Sequence, residues 1–347
     1  MKKEAVLYEK IDGNRVHCYL CAHECKILES RYGVCRVRRN EEGTLYTLVY
    51  GKAISAGVDP IEKKPLYHFQ PGSLAYSIAT VGCNFHCGFC QNWQISQYTL
   101  DNEDAIPGND LTPEDVVSQA KAHRCESIAY TYTEPTIFFE YAYDTARLAY
   151  EGGLSNIFVT NGYMTRQAID KIRPYLDAAN IDLKSYSDEY YKKTCKARLQ
   201  PVLNTIAYMK ELGIWVEVTT LVIPGENDSD AELNQIAEFI SLVDKDIPWH
   251  ISRFHPMYEF PDHPATPIET LEKAKEIGYR NGLRYVYPGN IAHEANTYCS
   301  QCNELLVERP MVGVSEKRLS GTACPRCGTL ISGVWGRQAV PVQPERK

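Results

Sequence analysis

From about residue 77 the chain alternates short apolar runs with longer amphipathic stretches. The runs are SIATVG (77–82), SIAYTY (127–132), NIFVTN (156–161), NIDLK (180–184), WVEVTTLVI (215–223), HISRF (250–254) and RYVYPG (284–289). Each has the length and composition of a buried strand. Between them, 165–176, 202–213, 229–243 and 266–282 carry apolar residues at helical spacing, and Thr112-Pro113-Glu114 opens another helix with an N-cap and a proline at the first helical position. Gly213 and Gly282 stand where helix C-terminal caps belong. Repeated strand–helix units predict an α/β fold with a parallel sheet covered by helices, and about six units fit a partial (β/α)6 TIM-like barrel better than a closed eight-fold one. Before the barrel, 44–51 is strand-like and the proline-bearing 58–73 reads as an extended connector. The pattern divides the chain into an N-terminal module (1–60), the barrel (61–290), a small C-terminal module (291–337) and a tail (338–347).

Composition narrows the function. The formal charge of −7 argues against a nucleic-acid partner, which calls for a basic excess. No apolar run is long enough to span a membrane, and the first residues lack the apolar centre of a signal peptide, so a cytoplasmic location is expected. Thirteen cysteines are many for a reducing compartment, and their short spacings point to metal rather than disulfides. Cys125 and Cys195 stand alone and read as small buried apolar residues. The other eleven form three groups.

Cys83, Cys87 and Cys90 form a CxxxCxxC array directly after the first barrel strand. Thiolates favour soft metals and iron–sulfur clusters, and three of them hold three irons of a [4Fe–4S] cluster while leaving the fourth open to a bound molecule. The competing occupant is zinc, with His86 or a distant residue as fourth ligand; the strand-end loop favours the cluster. Cys299, Cys302, Cys324 and Cys327 form two CxxC pairs about 20 residues apart, a zinc-ribbon-like spacing expected to bind Zn2+ in a structural role, with a rubredoxin-like iron site or a second cluster as alternatives. Cys18, Cys21, Cys25 and Cys35 form a second four-thiolate set, for zinc or an iron–sulfur cluster.

The array with Phe89 before its last cysteine resembles the CxxxCxφC signature of the radical S-adenosylmethionine (SAM) superfamily. The resemblance implies a radical SAM barrel whose open iron binds SAM and cleaves it reductively to methionine and a 5′-deoxyadenosyl radical, which abstracts a substrate hydrogen. It implies that Phe89 contacts adenine. Thr133 and Glu134, in AYTYTEP, stand in place of a GGE-type motif that binds the methionine amino group; a carboxylate suits an ammonium. The alternative for Glu134 is an acid capping the helix after Pro135. Thr160 and Asn161 (VTNGY), Asp182 and Lys184 (IDLKSY) and Thr220 (TTLVIPGEND) resemble further SAM-site segments, with Asp182 and Lys184 on one strand face for a ribose or substrate group and the SAM carboxylate. His250, Arg253 and His255, in HISRFHPMY, fall near a later strand end, where His255 is a candidate SAM contact and a core histidine is the alternative.

Over nearly the whole chain, motifs such as CYLCAHEC, VDPIEKKPLYHF, TVGCNFHCGFCQNW, IDLK, PWHISRFHP and VYPGNI resemble the radical SAM component of the AmmeMemoRadiSam system, related to pyruvate formate-lyase activating enzymes. That resemblance implies reduced flavodoxin or ferredoxin as electron donor and AMMECR-type and Memo-like protein partners. A glycyl-radical activase is one version of the function. A non-catalytic metal-binding or electron-transfer scaffold, the reading from another class, leaves the open three-cysteine site unexplained. Family analogy does not fix the substrate.

Overall fold

The computed structural model describes residues 2–102, 105–291, 294–310 and 313–336. The tail 338–347 therefore lies outside the described residues. The centre is an eight-stranded sheet. In chain order its strands are β1 (Ser55–Pro60), β2 (Leu74–Ala79), β3 (Ser127–Tyr130), β4 (Ser155–Thr160), β5 (Ala178–Asp182), β6 (Trp215–Val222), β7 (Trp249–Arg253) and β8 (Val286–Gly289). They pair in that order, β2 to β8 all parallel and β1 antiparallel to β2. Among the described residues the sheet stays open, with β1 and β8 as its edges.

Six helices make the crossovers: α1 (Pro113–Ala122), α2 (Phe139–Glu151), α3 (Arg166–Ile172), α4 (Leu199–Glu211), α5 (Asp230–Val243) and α6 (Ile268–Arg280). Thr112 and Asp115 close a capping box on α1, and Thr165 and Ser229 cap α3 and α5 through their side chains. Gly213 and Gly282 follow α4 and α6 at φ +80° and +89°, the left-handed conformation that ends a helix. Two features depart from the sequence pattern. Part of the expected connector, with residues before it, is the antiparallel edge strand β1, whose polar, half-exposed register hides it. Helix α2 is not among the predicted helices, because Tyr141, Tyr143 and Tyr150 blur its apolar stripe; the face is nevertheless buried through Phe139, Ala142, Ala146 and Ala149.

The N-terminal module is two small antiparallel sheets, Lys3–Glu4 with Thr44–Thr47 and Arg38–Glu41, and Tyr8–Ile11 with Arg15–Cys18 and Lys26–Ile27. It is pinned to α2 by the buried pair Arg38–Glu140 (Nη1 to Oε1, 3.0 Å), and Glu140 also accepts the Val6 amide at 3.0 Å. The C-terminal module, with strands Thr297–Tyr298, Leu305–Glu308 and Glu316–Lys317, packs Cys299 and Leu306 against Tyr285 and Tyr287. Among the described residues no helix is long and apolar enough to cross a membrane.

A buried polar network ties this module to the start of the strands. Glu217, fully buried near the beginning of β6, accepts from the amides of Tyr67 and His68, from Trp215 Nε1 and from His250 Nε2. His250 is therefore a satisfied core histidine, not a ligand at the strand ends. His68 Nδ1–H donates to the Ser332 carbonyl (2.8 Å), which leaves Nε2 to accept from the Tyr287 hydroxyl (2.7 Å). The bond from Tyr287 needs the neutral ring, and burial holds its pKa down at about 4. Between pH 6.5 and 4 the unfolded chain binds a proton that the folded chain refuses, so stability falls as pH falls through that window. The expected loss is about 3 kcal/mol, from 1.36 kcal/mol per pH unit. Urea midpoints at pH 7 and 4.5 should therefore fall less steeply with acid for His68→Gln; an unchanged slope would contradict this assignment.

Candidate active site at the strand ends

The triad loop begins where β2 ends. Gly82 turns it at φ +95°, with no room for a side chain: a Cβ there would lie 2.7 Å from Val37 Cγ1 and 3.2 Å from the Cys35 carbonyl oxygen. The loop sulfurs accept or share hydrogen bonds, the Phe85 amide on Cys83 Sγ (3.4 Å) and Ser96 Oγ on Cys90 Sγ (3.2 Å). Gly88 is covered by the segment from Met257 to Phe260; its carbonyl accepts the Glu259 amide at 2.9 Å, and a Cβ would lie 2.8 Å from Phe260 Cε2.

The neighbouring strand ends bring most of the predicted residues together. Asn161, after β4, reaches Cys83 Sγ (4.0 Å) and donates to Asn84 Oδ1 (2.7 Å). Glu134, after β3, is buried and accepts from Thr160 Oγ1 (2.8 Å), the Asn161 amide (2.8 Å) and the Thr136 amide (3.0 Å). It thus caps the turn after Pro135 and braces the Asn161 loop at once; burial raises its pKa. Thr133 donates to the Thr80 carbonyl at 2.9 Å, tying this turn to the end of β2.

On the next strand, Lys184 pairs with Asp182 (2.9 Å) and lies 5.6 Å over the Phe89 ring. Burial opposes the charge of Lys184, but Asp182, Cys87 and Cys195 outweigh it and hold its pKa well above the usual value. Phe89 is buried between Tyr190, stacked at 6.2 Å, and Phe260, edge-on at 6.0 Å. Two candidates are placed differently. Thr220 is fully buried, its hydroxyl donating to the Leu183 carbonyl (2.9 Å) and accepting from Trp249 Nε1 (3.0 Å), so the sheet itself engages it. His255 faces solvent.

Sequence reasoning missed the segment that roofs the triad. Tyr191–Cys195 is a π-helical turn ending in Lys196 at φ +57°, an irregularity often found at functional sites. Its carbonyls at Thr194 and Cys195 accept the amides of Gly88 and His86, and the buried Cys195 thiol is a close neighbour of Cys87. No spacing signal links Cys195 to the array, since the contact spans three helix–strand units. Asn84, also missed, is the acceptor that orients Asn161.

The donors suit a metal cluster. Burial pushes the Cys83 thiol well up, and the neighbouring Cys195 thiol followed by burial does so for Cys87. Such thiols become thiolates when a metal supplies positive charge. A zinc ion with bonds of about 2.3 Å in tetrahedral array draws its sulfurs to about 3.8 Å of one another. Among the described residues, the one group of three or more His, Cys, Asp or Glu ligand atoms within 4.8 Å of one another is Cys299, Cys302, Cys324 and Cys327. There Cys299–Cys327 and Cys302–Cys324 are each 3.6 Å apart, and Thr329 holds the Cys327 thiol down to about 6. The triad is wider, as a multi-iron cluster requires.

The chain is similar to several known proteins. A family model described as the radical SAM superfamily matches residues 77–239. An uncharacterized protein of Methanocaldococcus jannaschii is 48% identical over 310 residues, spanning 88% of this chain and 91% of that protein. The pyruvate formate-lyase-activating enzyme of Streptococcus mutans is 21% identical over 55% of this chain and 74% of its own length. Among solved structures, Streptococcus suis SuiB bound to S-adenosylmethionine matches with a TM-score of 0.49 and 14% identity, over 66% of this chain and 53% of that one.

Proposed function

The chain belongs to the radical SAM superfamily of enzymes, and from that premise we propose that Cys83, Cys87 and Cys90 hold a [4Fe–4S] cluster at which SAM is cleaved to start hydrogen abstraction from a protein or small-molecule substrate. The observation that carries the reading is the triad loop at the end of β2, met by Asn161 and Lys184 from the next strand ends. When bound, the cluster and SAM supply an electron and a 5′-deoxyadenosyl radical. The chain's residues bind and orient. Lys184 offers its ammonium to the SAM carboxylate, Phe89 a ring face to adenine, and Asp182 an acceptor to a ribose or substrate hydroxyl. Glu134, its carboxylate already held by Thr160 and Thr136, fixes the Asn161 backbone and offers its remaining acceptor capacity to the SAM ammonium; Thr133 steadies the same turn. The lid from Met257 to Phe260 and the π-helical roof exclude water from the radical.

The similarity to pyruvate formate-lyase-activating enzyme favours, as a second reading, activation of a glycyl-radical protein. Reduced flavodoxin or ferredoxin is the proposed electron donor. The motif run shared with the AmmeMemoRadiSam enzymes supports AMMECR-type and Memo-like partners. The 3.6 Å sulfur pairs support Zn2+ in the C-terminal quartet, and the docking of that module on β8 a structural role for it. The test is anaerobic reconstitution with iron and sulfide, then reduction with SAM present. We expect 5′-deoxyadenosine and methionine; a fully loaded protein releasing neither would overturn the proposal.

A further inference from the structure

We propose that Cys18, Cys21, Cys25 and Cys35 bind an iron–sulfur cluster of their own, rather than zinc, set directly behind the loop that carries Cys83. Four observations converge. First, the four cysteines line one small enclosed cavity together with Arg38 and Ile137, so residues distant in sequence gather around a common centre. Second, no three of these sulfurs lie within 4.8 Å of one another, whereas the C-terminal quartet of the same chain closes to the spacing of a single metal ion. A mononuclear site pulls four sulfurs to about 3.8 Å; a cluster holds them apart on separate irons.

Third, Arg38 is 1% exposed, and its Nε–H has no hydrogen-bond partner, although Nη1 and Nη2 are engaged by Glu140. A buried donor left without an acceptor is costly, and a cluster sulfide or thiolate in the cavity supplies one. The guanidinium also lines the same cavity as Cys18 and Cys35. The charge therefore suits an anionic four-thiolate centre.

Fourth, the site abuts the triad. The Cys35 carbonyl oxygen is 3.2 Å from where a Gly82 Cβ would be, and Gly82 is covalently joined to Cys83. From the same module, His23 Nε2 hydrogen-bonds the Asn84 carbonyl at 2.7 Å, and Cys21 bridges to Met164. A cluster held here is a one-electron centre in contact, through one residue, with the backbone of the proposed catalytic loop.

The test uses the full chain with Cys83, Cys87 and Cys90 all changed to Ala, prepared and reconstituted without oxygen, so that it reads the N-terminal set whether or not the triad cleaves SAM. Iron, acid-labile sulfide and zinc are measured, with circular dichroism to confirm folding. We expect about four irons and four sulfides per chain to remain, with one zinc, and a reduced-cluster EPR signal that disappears on adding Cys18→Ser and Cys35→Ser. Two zinc ions and no sulfide, or a folded protein with no iron, would overturn the proposal. In the unmodified chain, the reduced EPR spectrum should be broadened by spin coupling relative to the triple variant; a plain sum of two independent signals would overturn the adjacency.

Discussion

Cys87→Ala is expected to abolish 5′-deoxyadenosine formation while the protein remains folded. Cys87 lies in the middle of the array, buried, beneath the π-helical turn and within the electrostatic reach of Lys184. On the proposed assignment, its loss removes one of three cluster ligands and leaves a cluster with two open sites, which would not persist under turnover. The expected signal is product below detection, at least a thousandfold down, since the hard chemistry belongs to the cofactor and the residues around it only orient and shield. Cys327→Ala is the control. It lies in the C-terminal quartet, packed against the strand-start end of β8, far along the sheet from the triad. Its loss should lower the melting temperature while cleavage per folded molecule is kept. Product assayed by chromatography, with iron content and thermal melts alongside, separates the two. Equal abolition of cleavage in both folded variants would contradict this division of labour.

Glu140→Ala is expected to cost about 3–5 kcal/mol, the range for removing one partner of a buried ion pair. The carboxylate is 2% exposed, holds Arg38 and accepts the Val6 amide, so its removal leaves a buried guanidinium and a buried amide without partners. The loss is concentrated where the N-terminal module meets α2. Replacing both ends with apolar residues, Arg38→Met with Glu140→Leu, should recover much of it, because no charge is then left buried. Urea unfolding of the single and double variants reads both numbers. A single variant within 1 kcal/mol of the unmodified chain would show that water reaches Arg38.

These two cases mark how far the sequence carries. Cys87 is legible from spacing alone, because three thiols in eight residues after an apolar strand admit few other readings. Glu140 is not legible: it sits in the one crossover helix whose tyrosines disguised its periodicity, and its partner lies 102 positions away. The same holds for Cys195, which reads as an isolated core residue until the fold sets its thiol on Cys87. Thr220 errs in the other direction, and His250 takes the core reading that the sequence left open. The TTLVIPGEND segment promised Thr220 a place at the mouth, but the fold locks it between Leu183 and Trp249, and the strand register puts His250 on Glu217 near the strand starts.

By itself, then, the sequence determined what depends on local chemistry and period: the strand–helix alternation, the helix caps, the three cysteine groups and the strand-end acids and amides. Tertiary structure decided what depends on contacts between distant segments. It chose which strands are neighbours, made Ser55–Pro60 an edge of the sheet, roofed the triad with the π-helical turn, and set the Cys18–Cys35 group against Gly82. The reason is physical. Periodicity and ligand spacing are encoded within a few residues, whereas burial, pairing and the distance between two sulfurs are properties of the packed whole.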